Sequence, residues 1–228
     1  MARPHPPVRP GRTGLQRPRL DGPRDVLVWV PQGYRAHAPA PLLVLLHGAG
    51  GNAEGGLRLV GPLAEETGLI LVAPASRGSS WDILYRGYGP DVDTLDHALE
   101  FVFQHYAVDP RHLAIGGFSD GASYALSVGI TNGDLFSHIV AFSPGFLAPE
   151  VHRDTPAIFV SHGTRDQVLP IQTCSRRIVP LLQQQGYAVV YREFDGPHTV
   201  PNDVAHEALV WLGADDPTGP PGSRKSVG

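Results

Sequence analysis

The stretch that most constrains this chain is His112–Gly133, HLAIGGFSDGASYALSVGITNG. It opens on a short apolar run, Leu113-Ala114-Ile115, that reads as a buried strand. It passes through Gly116-Gly117-Phe118-Ser119-Asp120-Gly121 and leaves as a small-residue helix from Ala122 to about Thr131. Gly117-Phe118-Ser119-Asp120-Gly121 spells G-x-S-x-G. A serine on so sharp a strand-to-helix turn has its Oγ held out of the sheet, with the first amides of the helix aimed at it. Glycines on either side let strand and helix approach with no Cβ between them. In a chain with 27 glycines the bare pentapeptide also arises by chance, as a Gly/Ser loop, so its context has to carry the argument.

That context is an alternation of strands and helices. Asp25–Val30 alternates apolar residues and stops at Pro31, as a strand near a sheet edge does. Pro41–His47 and Leu69–Ala73 are continuous apolar runs, expected of strands buried on both faces. His138–Phe142, Ala157–His162 and Val189–Phe194 complete about seven strands, with one more expected near Leu15–Leu20. Helices are expected at Gly55–Thr67, Val92–Tyr106, Ile171–Gln185 and Asn202–Leu212, besides the one after Ser119. The rhythm predicts one α/β domain, a mostly parallel sheet with helices on both faces. The short connection from Ser143 to Pro156 leaves no room for a cap domain. The domain is expected over 14–212, between a disordered Pro/Arg-rich leader (1–13) and a disordered tail (213–228), neither with the apolar content to order itself.

Composition excludes several classes. A net charge of −4 gives no electrostatic case for nucleic acid or an anionic membrane surface. The single cysteine, Cys174, rules out an internal disulfide framework and argues against a Cys-based zinc site. No apolar run approaches the ~20 residues of a membrane span, and the Arg/Pro-rich first residues lack the apolar core of a secretory signal. The expectation is a cytoplasmic protein without metal or cofactor and without stable membrane insertion. The oligomeric state is left open.

A serine hydroxyl becomes a useful nucleophile when an imidazole takes its proton, and the imidazole needs a carboxylate to fix its tautomer. Downstream of Ser119, Ala157–His162 runs into Gly163-Thr164-Arg165-Asp166, and Val189–Phe194 into Asp195-Gly196-Pro197-His198. Asp166 and His198 thus lie at the carboxyl ends of strands, where open α/β sheets place their ligands. Asp195 is the second candidate for the acid. His47 and His162, each before a glycine at a strand end, read as structural hydrogen bonders. A tetrahedral oxyanion requires backbone N–H donors. The amide of Asp120 is one candidate, and that of Ala49, in the Gly-rich turn after His47-Gly48, is the other. In the long irregular stretch 74–90, Trp81, Ile83 and Tyr85 are candidates for a substrate wall.

Leu46-His47-Gly48-Ala49-Gly50-Gly51, Gly117-Phe118-Ser119-Asp120-Gly121, His162-Gly163-Thr164-Arg165-Asp166-Gln167-Val168-Leu169-Pro170 and Gly196-Pro197-His198 together resemble the phospholipase/carboxylesterase family of α/β-hydrolases. Trp81-Asp82-Ile83 resembles the segment that lines the family's acyl groove. The resemblance runs from about Asp25 to Leu212. It implies the α/β-hydrolase fold, Ser119 as nucleophile, Asp166 as acid, His198 as base, and the Ala49 and Asp120 amides as oxyanion hole. The implied activity is hydrolysis of a small-molecule carboxylic ester through an acyl-enzyme. Acyl thioesterase or lysophospholipase, polyester or feruloyl esterase, lipase or peptidase, and a non-catalytic ligand-binding protein of the same fold remain alternatives. The family often has Gln after the serine where this chain has Asp120, a carboxylate that would oppose a developing oxyanion unless it is turned away or paired.

Overall fold

The computed structural model describes residues 1–20, 25–84 and 87–213. In chain order the elements are β1 (Gly14–Gln16), β2 (Val26–Val30), β3 (Ala40–Leu46), α1 (Ala53–Arg58), α2 (Gly61–Thr67), β4 (Ile70–Pro74) and α3 (Pro90–His105). They continue with β5 (Val108–Phe118), α4 (Asp120–Thr131), β6 (His138–Phe142), β7 (Ala157–Gly163), α5 (Ser175–Gln184), β8 (Val189–Phe194) and α6 (Asn202–Leu212). Among the described residues the strands form one eight-stranded sheet in the order β1-β2-β4-β3-β5-β6-β7-β8. β1 and β2 join antiparallel, and β4 through β8 run parallel. This is the mostly parallel α/β sheet that the strand–helix alternation predicts.

The period-2 geometry of a strand sends β3 residues to alternate faces. Leu42, Val44 and Leu46 pack with α3, α4 and α5, while Leu43 and Leu45 pack with α2 and α6. Helices therefore cover both faces. The parallel register brings the carboxyl ends of β3, β5, β7 and β8 to one rim. No inserted domain stands over that rim, since β6 and β7 are joined by residues 143–156 without a helix or strand.

Three local expectations change. The single helix expected over 55–67 is two, broken at Leu59-Val60, where a proline at the start of α2 removes the N–H that would have continued the ladder. α5 begins only at Ser175, after a turn over 171–174 that follows Pro170. β5 starts already at Val108 and carries Asp109-Pro110 within its exposed first residues, where a proline costs no central ladder bond.

The composition of residues 1–13 predicts disorder, yet the structure lays them along α3. The Val8 and Arg9 amides donate to Gln104 O at 3.0 Å each. Ala2 N–H bonds the Asp96 carboxylate, and Arg3 pairs with Asp134. The Tyr106 hydroxyl donates to Arg12 O (2.8 Å) and accepts from Arg12 N (3.0 Å). Tyr106 is fully buried, and the arm supplies the hydrogen-bond partners its hydroxyl requires. The ordering comes from docking, not from a core of the arm's own. Of the expected tail, 214–228 lie outside the described residues. No helix among the described residues is long and apolar enough to cross a membrane.

Candidate active site

Ser119 sits between β5 and α4 with φ 58° and ψ −121°, a backbone conformation that non-glycine residues rarely adopt. Packing holds it there. Its amide donates to Phe142 O at the end of β6 (2.9 Å). A Cβ on Gly121 would lie 2.5 Å from His47 O and 2.7 Å from the Leu46 carbonyl carbon, and one on Gly117 would lie 2.8 Å from Leu46 O. The turn is thus pressed against the backbone end of β3, a contact that only glycine permits.

On the same rim, His198 Nε2 lies 2.9 Å from Ser119 Oγ, and His198 Nδ1 lies 2.5 Å from Asp166 Oδ2. A carboxylate accepts, so the ring proton sits on Nδ1 and leaves Nε2 to accept from the serine. The Asp166 side chain is wholly buried, and its Oδ1 accepts the amides of Val168 (2.9 Å) and Leu169 (2.8 Å). Burial acts to raise the Asp166 carboxyl, but the Leu169 amide, the His198 imidazole and the Val168 amide outweigh it and hold the group below the ordinary carboxylate range. Asp195, the alternative acid, is exposed and paired with Arg165 Nε at 3.0 Å.

Ala49 is exposed on a turn closed by Gly51 N→Gly48 O (3.0 Å) and Gly50 N→Ser79 O (2.5 Å). Asp120 opens α4, so its N–H has no intrahelical acceptor. The turn after β3 packs on the serine: a Cβ on Gly48 would be 3.3 Å from Ser119 Cβ. His47, buried at 2% exposure, donates from Nδ1 to Gly48 O (2.7 Å) and accepts at Nε2 from Ser76 N (3.0 Å), a structural hydrogen-bonding role. Asp120 Oδ2 accepts from the buried Ser80 hydroxyl at 2.7 Å. The loop 76–81 therefore ties the turn after β3 to the start of α4.

Trp81 is not a wall residue. It is fully buried, donates from its indole N–H to His47 O (2.9 Å) and stacks on Tyr124 at 5.2 Å. It supports the turn after β3 from beneath, because so large an apolar ring is better placed in the core than against solvent. Ile83 lies partly buried against the same core, in a short 3₁₀ turn (Asp82–Leu84). Tyr85 lies outside the described residues. A cleft of about 540 Å³ opens beside this loop, lined by Arg77, Ser80, Asp82, Tyr88 and Asp91 among others. The Tyr88 hydroxyl donates to Ala148 O (2.9 Å). Among the described residues no cluster of three His, Cys, Asp or Glu side chains is arranged to hold a metal ion.

Residues 93–205, which contain the elbow and all three side chains on the rim, match the model of the phospholipase/carboxylesterase family. Over that stretch, just under half of its length, the chain is similar to this family of α/β-hydrolases. Solved structures of the same fold include S-formylglutathione hydrolase from Staphylococcus aureus (TM-score 0.73, 16% identity, covering 90% of this α/β-hydrolase and 100% of that chain). Another is a ferulic acid esterase from Anaeromyces mucronatus (TM-score 0.67, 20% identity, covering 89% and 92%). A "Probable feruloyl esterase C" of Aspergillus oryzae is 27% identical over 157 residues, 64% of this chain and 56% of that protein. An acetylxylan esterase of Coprinopsis cinerea is 27% identical over 144 residues, 58% of this chain and 38% of that protein. The match thus spans about half or less of these curated relatives.

The sequence reading did not find Ser80 as the partner of Asp120. It also missed Ser123, whose Oγ accepts from Gly145 N (2.9 Å) and so anchors the loop after β6 to α4. Nothing in the sequence marks either serine, because each partner lies at least twenty residues away.

Proposed function

We propose that this protein is a serine esterase that hydrolyses carboxylic esters of small molecules through an acyl-enzyme. The observation that carries the reading is the continuous run from Ser119 Oγ to His198 Nε2 (2.9 Å) and from His198 Nδ1 to Asp166 (2.5 Å). The similarity to that family and the names of its relatives, feruloyl and acetylxylan esterases among them, support an ester as substrate. Ser119 Oγ attacks the carbonyl carbon as its proton passes to His198 Nε2, and the resulting imidazolium is stabilised by buried Asp166. The amides of Ala49 and Asp120 receive the oxyanion. His198 then protonates the leaving alcohol, and Ser119 keeps the acyl group. Water, deprotonated by His198, attacks the acyl-enzyme; the acid leaves and Ser119 regains its proton. None of these steps calls for a cofactor. We propose the cytoplasm as the place of action; cell fractionation tests this.

Ser119→Ala is expected to lower kcat by about 10⁴- to 10⁶-fold while leaving the fold intact. The experiment pairs a fluorophosphonate probe with a series of p-nitrophenyl esters, methyl ferulate and an acyl thioester. Wild type is expected to be labelled at Ser119 and to favour oxygen esters. Undiminished hydrolysis by Ser119→Ala would overturn the reading, and a thioester preference would reassign the leaving group.

A further inference from the structure

We propose that His162, held by Ser175, is a positioning residue that fixes the Asp166 carboxylate and, through it, His198. This inference rests on the triad reading above. His162 is in β7 with its ring wholly buried. Its Nε2 lies 2.8 Å from Leu169 O and 3.2 Å from Asp166 Oδ2, while its Nδ1 lies 2.6 Å from Ser175 Oγ in the first turn of α5. A carbonyl oxygen only accepts, so the ring hydrogen is on Nε2. Nδ1 is then bare and accepts the Ser175 hydroxyl, which locks that tautomer. The Nε2–H bonds Leu169 O, and the carboxylate oxygen lies 3.2 Å from the same nitrogen.

Asp166 Oδ2 therefore bonds the His198 Nδ1–H and also lies 3.2 Å from the Nε2 edge of His162. Its other oxygen is taken by the Val168 and Leu169 amides. With both oxygens held, the carboxylate cannot turn away from His198 about its own χ2. The N–H edge of His162 beside that oxygen also tempers the carboxylate charge that His198 faces. The groups facing His162 are Asp166, His198, and Glu193, its register partner on β8, which is itself paired with Arg176 of α5 at 2.7 Å. Burial keeps the His162 pKa below the ordinary histidine range, so the ring acts as a neutral donor. A histidine serving the core alone would be satisfied by Ser175 and Leu169. The contact with Asp166 goes beyond that.

The test starts with the wild-type protein and ¹H–¹⁵N NMR of the histidine rings. At the pH of the activity assay His162 is expected to hold the neutral Nε2–H tautomer. An Nδ1–H tautomer would remove the donor and overturn the proposal, even where variants fail to fold. Steady-state kinetics of His162→Leu and His162→Gln follow. His162→Leu should lower kcat roughly tenfold with KM within about twofold, and displace the acid limb of the kcat/KM profile by about half a pH unit or more. His162→Gln, which restores a side-chain N–H, should recover most of kcat. A His162→Leu protein that loses thermal stability but keeps the wild-type kcat and acid limb would reduce the residue to a structural role. Fluorophosphonate labelling is measured alongside. An unreactive wild-type Ser119 sinks the underlying triad reading and is distinguishable from any failure at His162.

Discussion

Asp120 is the residue whose chemistry looked least compatible with its place. Next to a developing oxyanion a free carboxylate raises the barrier, but here it is bonded to the buried Ser80 hydroxyl at 2.7 Å. Ser80→Ala leaves the carboxylate without that partner, and kcat should fall about three- to tenfold with KM nearly unchanged, because the penalty acts on the transition state. Asp120→Asn in the Ser80→Ala background should recover most of the loss, since the charge is gone; steady-state kinetics of the two singles and the double variant measure the coupling. At this scale the meeting of Ser119, His198 and Asp166 on one rim was legible, because each lies at the carboxyl end of a parallel strand. The sequence was not legible where two side chains meet across forty residues, as Ser80 and Asp120 do. Trp81 failed for a related reason: an aromatic in a long loop looks exposed until a stacking partner such as Tyr124 is known.

Elements were easiest to read where their hydrophobic pattern was continuous. The buried runs of β3, β4, β6 and β7 announce themselves, and the glycines around Ser119 announce a close approach to another backbone. Boundaries were harder, because a single residue such as Pro110 is a stop signal in the middle of a sheet and harmless at the exposed start of β5. The elbow provides the element-scale prediction. Gly121→Ala places a methyl 2.5 Å from His47 O, at a rigid strand end that cannot recede. It should destabilise the protein by at least about 2 kcal/mol and abolish fluorophosphonate labelling, as overpacking against backbone does. Gly33→Ala, whose Cβ meets nothing within 4 Å among the described residues, is the control and should stay within about 0.5 kcal/mol of wild type. Urea unfolding of both variants checks the contrast.

For the molecule as a whole, the α/β class followed from strand–helix rhythm, whereas the docking of residues 1–13 did not. Local composition carries no trace of a partner such as Tyr106, 94 residues from Arg12. A global property hidden in the same way is acid stability. His138, at the start of β6, is 3% exposed, and its Nε2 has no hydrogen-bond partner among the described residues, beside the Trp211 ring at 5.0 Å. Burial, with a smaller push from His112, lowers its pKa from 6.5 to about 4. The unfolded chain binds this proton from pH 6.5 downward, and the folded protein resists it until about pH 4. Between those values the unfolded state carries more protons, so stability is full above pH 6.5 and falls as the pH drops. The loss attributable to His138 approaches roughly 3 kcal/mol by pH 4, at about 1.4 kcal/mol per pH unit. Carboxylates such as Asp109, held at about 2, add their own loss mainly below this window. His138→Leu removes the titration, and with it the 2.9 Å contact between Nδ1 and Ser137 Oγ. Its stability should therefore fall less than that of wild type between pH 6.5 and 4. Urea unfolding across that range measures it: equal slopes for the two proteins would show that His138 is not the group that resists protonation.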